Sequence, residues 1–119
     1  MGAMAKMEHF EIPADDLGRA QAFYQEVLGY DFQPWGEDMG MLTQPDDEGV
    51  NGDLHRRAAV SHPTVVFTVD RIEDTIALAV AAGGAQASEI QALGESGRWA
   101  YITDSEGNTI GLFDEVAAA

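Results

Sequence analysis

The strongest constraint on the fold is a strand and helix pattern that occurs twice. Residues 7–12 alternate apolar and polar side chains, as in a strand with one buried face, and residues 16–29 carry apolar residues at helical spacing. The same sequence of patterns returns in residues 64–69 and 70–83, and the two helical intervals have the same length. This recurrence indicates an internal duplication.

The ends of both helices carry recognisable residues. Asp15 or Asp16 is expected to cap the first helix, and Asp70 the second, because a short acidic side chain can accept the free backbone N–H groups of a first turn. Gly29 and Gly83 stand where a left-handed residue commonly ends a helix. The sequence therefore places two helices at equivalent positions of the two copies.

Short apolar segments bounded by turn residues follow each helix. Residues 30–35, 39–43 and 50–57 come after the first, and a turn around residues 45–47 separates two of them. Residues 86–90, 98–103 and 109–113 come after the second. Each copy is thus predicted to be a βαβββ unit, and the fold class is α+β.

Composition excludes several classes of partner and location. Six basic and 21 acidic residues give a formal net charge of -15, so nucleic acid and anionic membranes should be repelled. The absence of cysteine fits a reducing compartment, and no apolar run approaches a membrane span or signal peptide. We expect a soluble, cytoplasmic protein.

The sequence predicts one domain with little else attached. We interpret residues 1–6 as a disordered or vector-derived N-terminus and residues 7–116 as the domain, with 117–119 as a tail. Within the domain, repeat one spans 7–57 and repeat two spans 62–116.

Two motifs resemble one known family. The segment 9–17, HFEIPADDL, with Phe23-Tyr24 and Gly29 after it, is similar to the opening of a vicinal oxygen chelate domain, as found in glyoxalases, bleomycin resistance proteins and dioxygenases. The segment 104–112, DSEGNTIGL, resembles the closing hairpin of the same family. This resemblance implies that the two units curve mixed sheets around a concave pocket, and that two copies of the chain form a homodimer.

The resemblance also implies where a metal would bind in the enzymes of the family. His9 matches the first ligand position, and the second falls within residues 51–54, where Asp53 could serve. Thr64 and Gly111 stand at the other two positions and offer little to a cation. We therefore expect no cofactor and no tightly bound metal, with His9, Asp53 and His62 as weak candidate ligands for zinc, nickel or iron.

Strand alternation predicts which side chains share the face opposite the helices. His9 and Glu11 are the candidate catalytic residues, since an imidazole beside a carboxylate can transfer protons. The candidate substrate-binding residues are Asp53, His55, Thr64, Trp99, Tyr101 and Trp35. The alternative is a solvated sheet face without a ligand. Arg56 and Arg57 form either an anion site or the charged end of a strand.

These features predict a protein that binds a small oxygen-rich molecule, with reaction and substrate left open. An enzyme of this kind would be a lyase, an isomerase or a dioxygenase. The alternative is a protein that sequesters a drug or metabolite without catalysis, and a domain that mainly pairs with another chain is also compatible with the sequence.

Overall fold

The computed structural model describes residues 4–44 and 49–117, so the predicted turn at 45–47 lies outside the described residues. The chain divides into two compact units. One unit is Glu8–Thr64, and the other runs from Val65 onward together with the residues up to Met7.

The first unit has the predicted βαβββ order. Its elements are β1 (Lys6–Ala14), α1 (Leu17–Leu28), β2 (Asp31–Pro34), β3 (Met39–Thr43) and β4 (Asn51–Arg56). The strands lie in the spatial order β2-β3-β4-β1, in which β1 and β4 are parallel and the other pairs are antiparallel.

Helix α1 begins and ends where the sequence predicts. The Asp16 carboxylate accepts the backbone N–H of Arg19 at 3.0 Å, and Gly29 adopts the left-handed conformation with φ 76°. The helix packs on a core centred on Ala14, Leu42 and Leu54. The partly buried residues around that core are Phe10, Ile12, Leu17, Ala20, Tyr24, Tyr30 and Phe32.

The second unit repeats this topology. Its elements are β5 (Thr64–Thr68), α2 (Ile72–Ala81), β6 (Ala85–Gln86), β7 (Gln91–Ala92), β8 (Ser96–Thr103) and β9 (Thr109–Ala117). Its strands lie in the order β5-β9-β8-β6, which corresponds to the order β1-β4-β3-β2 of the first unit. The pair β5 and β9 is parallel, like β1 and β4. The predicted duplication and the α+β class are therefore confirmed.

The predicted strand at residues 86–90 is wrong, because only Gln86 belongs to β6 and the next strand, β7, begins at Gln91. Between them, Ala87 and Ser88 both donate their backbone N–H to the Tyr101 carbonyl, at 2.9 and 3.2 Å. The Ser88 hydroxyl then accepts the Tyr101 N–H at 2.8 Å. A side chain thus replaces a backbone partner, and regular pairing is interrupted.

The prediction that Asp70 caps α2 is also wrong. The helix begins at Ile72 after Arg71, which makes no side-chain capping bond. The N–H of Ile72 is instead donated to the Asp114 carboxylate on β9, at 2.9 Å. Gly83, with φ 100°, follows the helix as predicted. The core of this unit contains Ile72, Ala100, Ile102 and Leu112.

No helix of the described residues is both long and apolar enough to cross a membrane.

Candidate functional site

The pairing of β1 with β4 fixes the strand register that the sequence left open. Glu11 lies opposite Asp53, and His9 lies opposite Asn51. Leu54 points into the core on the helix side, so the residues on either side of it in β4 point to the opposite face. His9, Glu11, Asp53 and His55 therefore share one face of the first unit, as predicted.

Three of these side chains form a hydrogen-bonded cluster. The Asp53 carboxylate meets His9 Nε2 at 2.9 Å through Oδ2 and His55 Nδ1 at 2.8 Å through Oδ1. The Asp53 side chain is only 6% exposed, whereas the imidazoles of His9 and His55 are 29% and 19% exposed. A buried carboxylate is thus bridged to the surface by two imidazoles, each donating an N–H to it.

The cluster perturbs the acidity of its members. Burial, the largest influence, raises the pKa of Asp53, but the hydrogen bonds and charges of His55 and His9 together outweigh it and leave the pKa below its ordinary value. The hydrogen bond to Asp53 raises the pKa of His55, although burial opposes it. Asp53 therefore stays ionised, and His55 is more basic than an ordinary histidine.

The other residues predicted in the first unit lie outside the hydrogen-bonded cluster. Thr64 is buried, and its hydroxyl donates to the carbonyl oxygen of His62 at 3.1 Å. Trp35 lies in the turn between β2 and β3 and is 54% exposed. Glu11 lies beside Asp53 on the shared face, and its charge contributes to the raised pKa of His55.

Arg56 and Arg57 are engaged with nearby carboxylates. Arg56 Nε donates to Asp38 and Arg57 Nε to Asp15, both at 2.9 Å. The structure therefore favours the interpretation of this pair as the charged end of a strand.

Aromatic residues line one face of the second unit. The rings of Trp99 and Tyr101 meet edge to face at 5.5 Å between centroids, and Trp99 lies opposite Phe113. Tyr101 lies opposite Gly111, where an added Cβ would come within 2.8 Å of the Val66 side chain. Trp99 and Tyr101 do share one face, as predicted; whether they face the same ligand as His9 stays a prediction.

A cavity of about 350 Å³ lies elsewhere, between the end of β1 and the first turns of α1. Its lining includes Ile12, Ala14, Arg19, Phe23 and Arg57. Of the residues singled out from the sequence, Arg57 lines this cavity, and none of the candidate catalytic, substrate-binding or metal-binding residues is among the described residues that do. The cavity is therefore separate from the His9, Asp53 and His55 cluster.

The residues present do not fit the metal centre of the family's enzymes. Both Asp53 oxygens already accept imidazole N–H groups, the Thr64 hydroxyl is bonded to a carbonyl, and Gly111 has no side chain. Across residues 4–44 and 49–117, no three histidine or acidic side chains form a group that could hold a metal ion.

Comparison with known proteins agrees with this architecture. A family model described as bleomycin resistance protein-like N-terminal matches residues 6–43. No curated protein sequence matches the chain significantly.

Three solved structures illustrate the likeness. A glyoxalase/bleomycin resistance protein/dioxygenase superfamily member from Vibrio splendidus 12B01 has a TM-score of 0.67 at 17% identity, covering 95% of this chain and 100% of its own. Methylmalonyl-CoA epimerase from Mycobacterium tuberculosis has a TM-score of 0.69 at 16% identity, with coverage of 92% and 87%. The Mn(II)-bound glyoxalase from Novosphingobium aromaticivorans has a TM-score of 0.60 at 19% identity, covering 96% of this chain and 41% of its own.

The chain thus has the fold of the glyoxalase/bleomycin resistance protein/dioxygenase superfamily, and the resemblance seen in the sequence is confirmed.

Proposed function

We propose that this chain binds a small, oxygen-rich molecule at the polar face formed by His9, Glu11, Asp53 and His55. The observation that carries the proposal is the buried Asp53 carboxylate held by two partly exposed imidazoles. Burying a carboxylate costs free energy unless it is paired and hydrogen-bonded, and here the pairing groups reach the surface. The remaining nitrogen of each imidazole can accept a hydrogen bond from a hydroxyl group and, when the ring is protonated, can donate one to a carbonyl or carboxylate oxygen.

The relatives support a role for this fold in small-molecule chemistry. Two of the similar structures are described as a methylmalonyl-CoA epimerase and a glyoxalase. A shared fold does not fix the reaction, so the proposal rests on the residues of the cluster. If the chain is an enzyme, it is a lyase, an isomerase or a dioxygenase of this superfamily.

Sequestration without catalysis is the second candidate function. The aromatic face of Trp99, Tyr101 and Phe113 favours it, because ring faces and edges bind planar ligands without any reactive group. A sequestering protein would hold its ligand unchanged, and an enzyme would convert it.

A ligand screen with matched variants tests the proposal. Wild-type protein is screened by thermal shift against small hydroxy acids, keto acids, diketones and phenols, and each hit is then followed by NMR for conversion. Asp53→Asn should weaken the binding of hits, whereas Asp38→Asn, which alters an exposed ion pair outside the cluster, should not. Hits that bind both variants equally, or a complete lack of hits, would contradict binding at this face.

We also propose that the protein holds no resident divalent metal. The proposal rests on the bonding of Asp53, whose two oxygens already accept imidazole N–H groups, and on Thr64 and Gly111, which offer a cation no charged ligand. Elemental analysis of protein purified without chelator or a metal-affinity tag tests it. Near-stoichiometric metal that disappears in His9→Ala would show that His9 is a ligand after all.

A further inference from the structure

Arg19, in the first turn of α1, has a guanidinium without a charged partner in a strongly acidic chain. The chain contains 21 acidic residues, and each of the other four arginines forms an ion pair. Their partners are Asp38 for Arg56, Asp15 for Arg57, Glu73 for Arg71, and both Glu73 and Asp114 for Arg98. Within residues 4–44 and 49–117, the Arg19 side chain has neither an ion pair nor a hydrogen bond. Its N–H donors are therefore available to an anion from outside the chain.

Arg19 lines the cavity of about 350 Å³ between the end of β1 and the first turns of α1. The apolar side chains of Ile12, Ala20, Phe23 and Tyr24 line the same cavity. Sites for small molecules measure roughly 300–1,000 Å³ and combine apolar walls with a few polar groups. The cavity is thus at the small end of this range, and its lining has the composition of a ligand site.

Phe23 presents an aromatic ring beside this cation. It lies four residues after Arg19 and therefore on the same face of α1. Phe23 is 54% exposed, but its ring packs edge to face on that of Tyr24, at 5.3 Å between centroids, and Tyr24 packs on the core. A ring that is supported on one side and exposed on the other can stack on a second planar group.

We propose that this cavity binds a small aromatic monocarboxylate, with Arg19 binding the carboxylate and Phe23 contacting the ring. A guanidinium can donate two parallel N–H bonds to the two oxygens of a carboxylate, a geometry that an ammonium cannot provide. The distance between charge and ring in such a ligand is short, as is the one-turn separation of Arg19 and Phe23.

The charges of the lining favour one negative charge on the ligand. Arg57 also lines the cavity, but its Nε donates to Asp15 at 2.9 Å and its Nη1 to the carbonyl oxygen of Ser61. Asp16 lines the cavity as well and accepts the backbone N–H of Arg19. A second negative charge on the ligand would therefore be repelled by Asp16 without gaining another unpaired cation. A monocarboxylate fits this balance better than a phosphate does.

This cavity is separate from the polar face proposed above as a binding site. Ile12 lines the cavity and packs with the core on the helix side of the sheet, whereas Asp53 points to the opposite face. Asp53→Asn should therefore leave binding at the cavity unchanged. A carboxylate that Arg19→Gln no longer binds but Asp53→Asn still binds belongs to the cavity, so failure of one proposal is distinguishable from failure of the other.

An NMR titration with benzoate tests the proposal on the whole chain. Nitrogen-15 spectra follow the backbone amides and the arginine Nε–H groups as benzoate is added. We expect saturable shifts at the Nε–H of Arg19 and at the amides of Ala20 and Phe23. Benzamide has the same ring without the charge, and inorganic phosphate has charge without a ring, so each should bind about tenfold more weakly than benzoate, or worse.

Substitutions at exposed positions then identify the contacts. Arg19→Gln should raise the dissociation constant of benzoate about tenfold, because a charge-assisted pair of hydrogen bonds is lost. Arg19→Lys should restore only part of the affinity, and Phe23→Leu should weaken benzoate binding without increasing that of phosphate. Arg71→Gln is the matched control, because it also removes an exposed guanidinium but lies in the second unit, and it should bind like wild type.

Several results would overturn the proposal. These are undiminished benzoate binding in Arg19→Gln, equal or tighter binding of benzamide or phosphate, and a lack of saturable shifts at the cavity residues up to the solubility limit of benzoate. A second copy of the chain is the alternative occupant. Shifts of the Phe23 amide that follow protein concentration and are not changed by benzoate would assign the cavity to a contact between copies.

Discussion

Asp114 is a fully buried residue that keeps its charge through four donors. Arg98 donates to both carboxylate oxygens, and the backbone N–H groups of Ile72 and Val116 complete the set. Burial, the largest influence, raises the pKa of Asp114, but these donors outweigh it and hold the pKa below its ordinary value. The Asp114 carboxylate therefore neutralises the largely buried guanidinium of Arg98 and also accepts the first backbone N–H of α2.

We predict that Asp114→Asn lowers the free energy of unfolding by about 3 kcal/mol, because the largely buried Arg98 loses the more buried of its two charged partners. Urea denaturation measures the change. Asp38→Asn is the control, because both side chains of its ion pair with Arg56 are exposed. We expect it to change the free energy of unfolding by no more than about 0.5 kcal/mol. Equal effects of the two substitutions would show that the Asp114 pair is not an important source of stability.

Sequence reasoning found the residues of the candidate site but not their arrangement. His9, Glu11, Asp53 and His55 could be placed on one face because alternation in a strand has a period of two. The spacing of Asp53 and His55, two residues apart on one strand, was the available sign that they meet. Asp114 gave no such sign: its partners Arg98 and Ile72 are distant in sequence, and an acidic chain offers many carboxylates that are simply solvated.

Arg98 connects three elements of the second unit. It lies on β8, pairs with Asp114 on β9, and donates two bonds of 2.7 Å to the Glu73 carboxylate in the first turn of α2. The hydrogen bonds from Arg98, with backbone bonding and charge, lower the pKa of Glu73 to about 2 from 4.5. The attachment of α2 to the sheet is therefore sensitive to acid.

We predict that the stabilising contribution of Glu73 disappears at low pH. A carboxylate whose pKa is lower in the folded state stabilises that state above its unfolded pKa, and the contribution is lost as the pH falls through the folded value. Wild type should thus be more stable than Glu73→Gln above about pH 5, and the difference should shrink as the pH falls toward 2. Urea midpoints measured across this range test the prediction, and a difference that does not vary with pH would contradict it.

Glycines on β3 and β4 allow aromatic rings to approach the strands closely. A Cβ at Gly52 would stand 2.4 Å from the ring of Phe10 and 2.5 Å from its carbonyl oxygen. Gly18, in contrast, lies in α1, where the nearest atom to an added Cβ is 3.6 Å away. The two positions therefore respond to the same substitution in opposite directions.

We predict that Gly52→Ala destabilises the fold by about 1–3 kcal/mol through overpacking. Gly18→Ala should instead stabilise it by up to about 1 kcal/mol, because alanine loses less backbone entropy in a helix. Thermal and urea unfolding of the two variants provide the comparison. If Gly52→Ala unfolds like wild type, the close approach of Phe10 to β4 is not as described.

Elements with strong local signals were predicted well, and those fixed by distant contacts were not. Helix α1 has its own capping side chain and closing glycine, so both of its ends were readable from the sequence. The start of α2 depends on Asp114 from β9, and the break between β6 and β7 depends on Ser88 bonding to Tyr101. Neither contact can be predicted from residue propensities or from spacing along the sequence.

The whole chain combines a strongly acidic composition with apolar side chains left at the surface. The formal net charge is -15, yet Leu78 is 72% exposed, and Phe23, Val27 and Leu28 on α1 are each more than half exposed. Scattered apolar residues are normal on a surface, but several on one helix favour contact with another chain.

The duplicated topology was predictable because each repeat carries its own pattern of apolar residues. Nothing in those patterns specifies a partner chain.

We predict a homodimer, as the resemblance to the superfamily implies. Pairing would cover exposed apolar side chains and protect the open edges of the sheets, and two-fold assembly is the commonest form for soluble proteins. Light scattering should give a mass near twice 12.8 kDa. Added salt should increase the dimer fraction, because two strongly acidic chains repel each other less when their charges are screened.

Val27→Lys and Leu78→Lys place a charge on α1 and α2 respectively, and the variant that lowers the mass would show which helix contributes to the interface. A mass near 12.8 kDa at all micromolar concentrations, with and without salt, would show that the chain is a monomer.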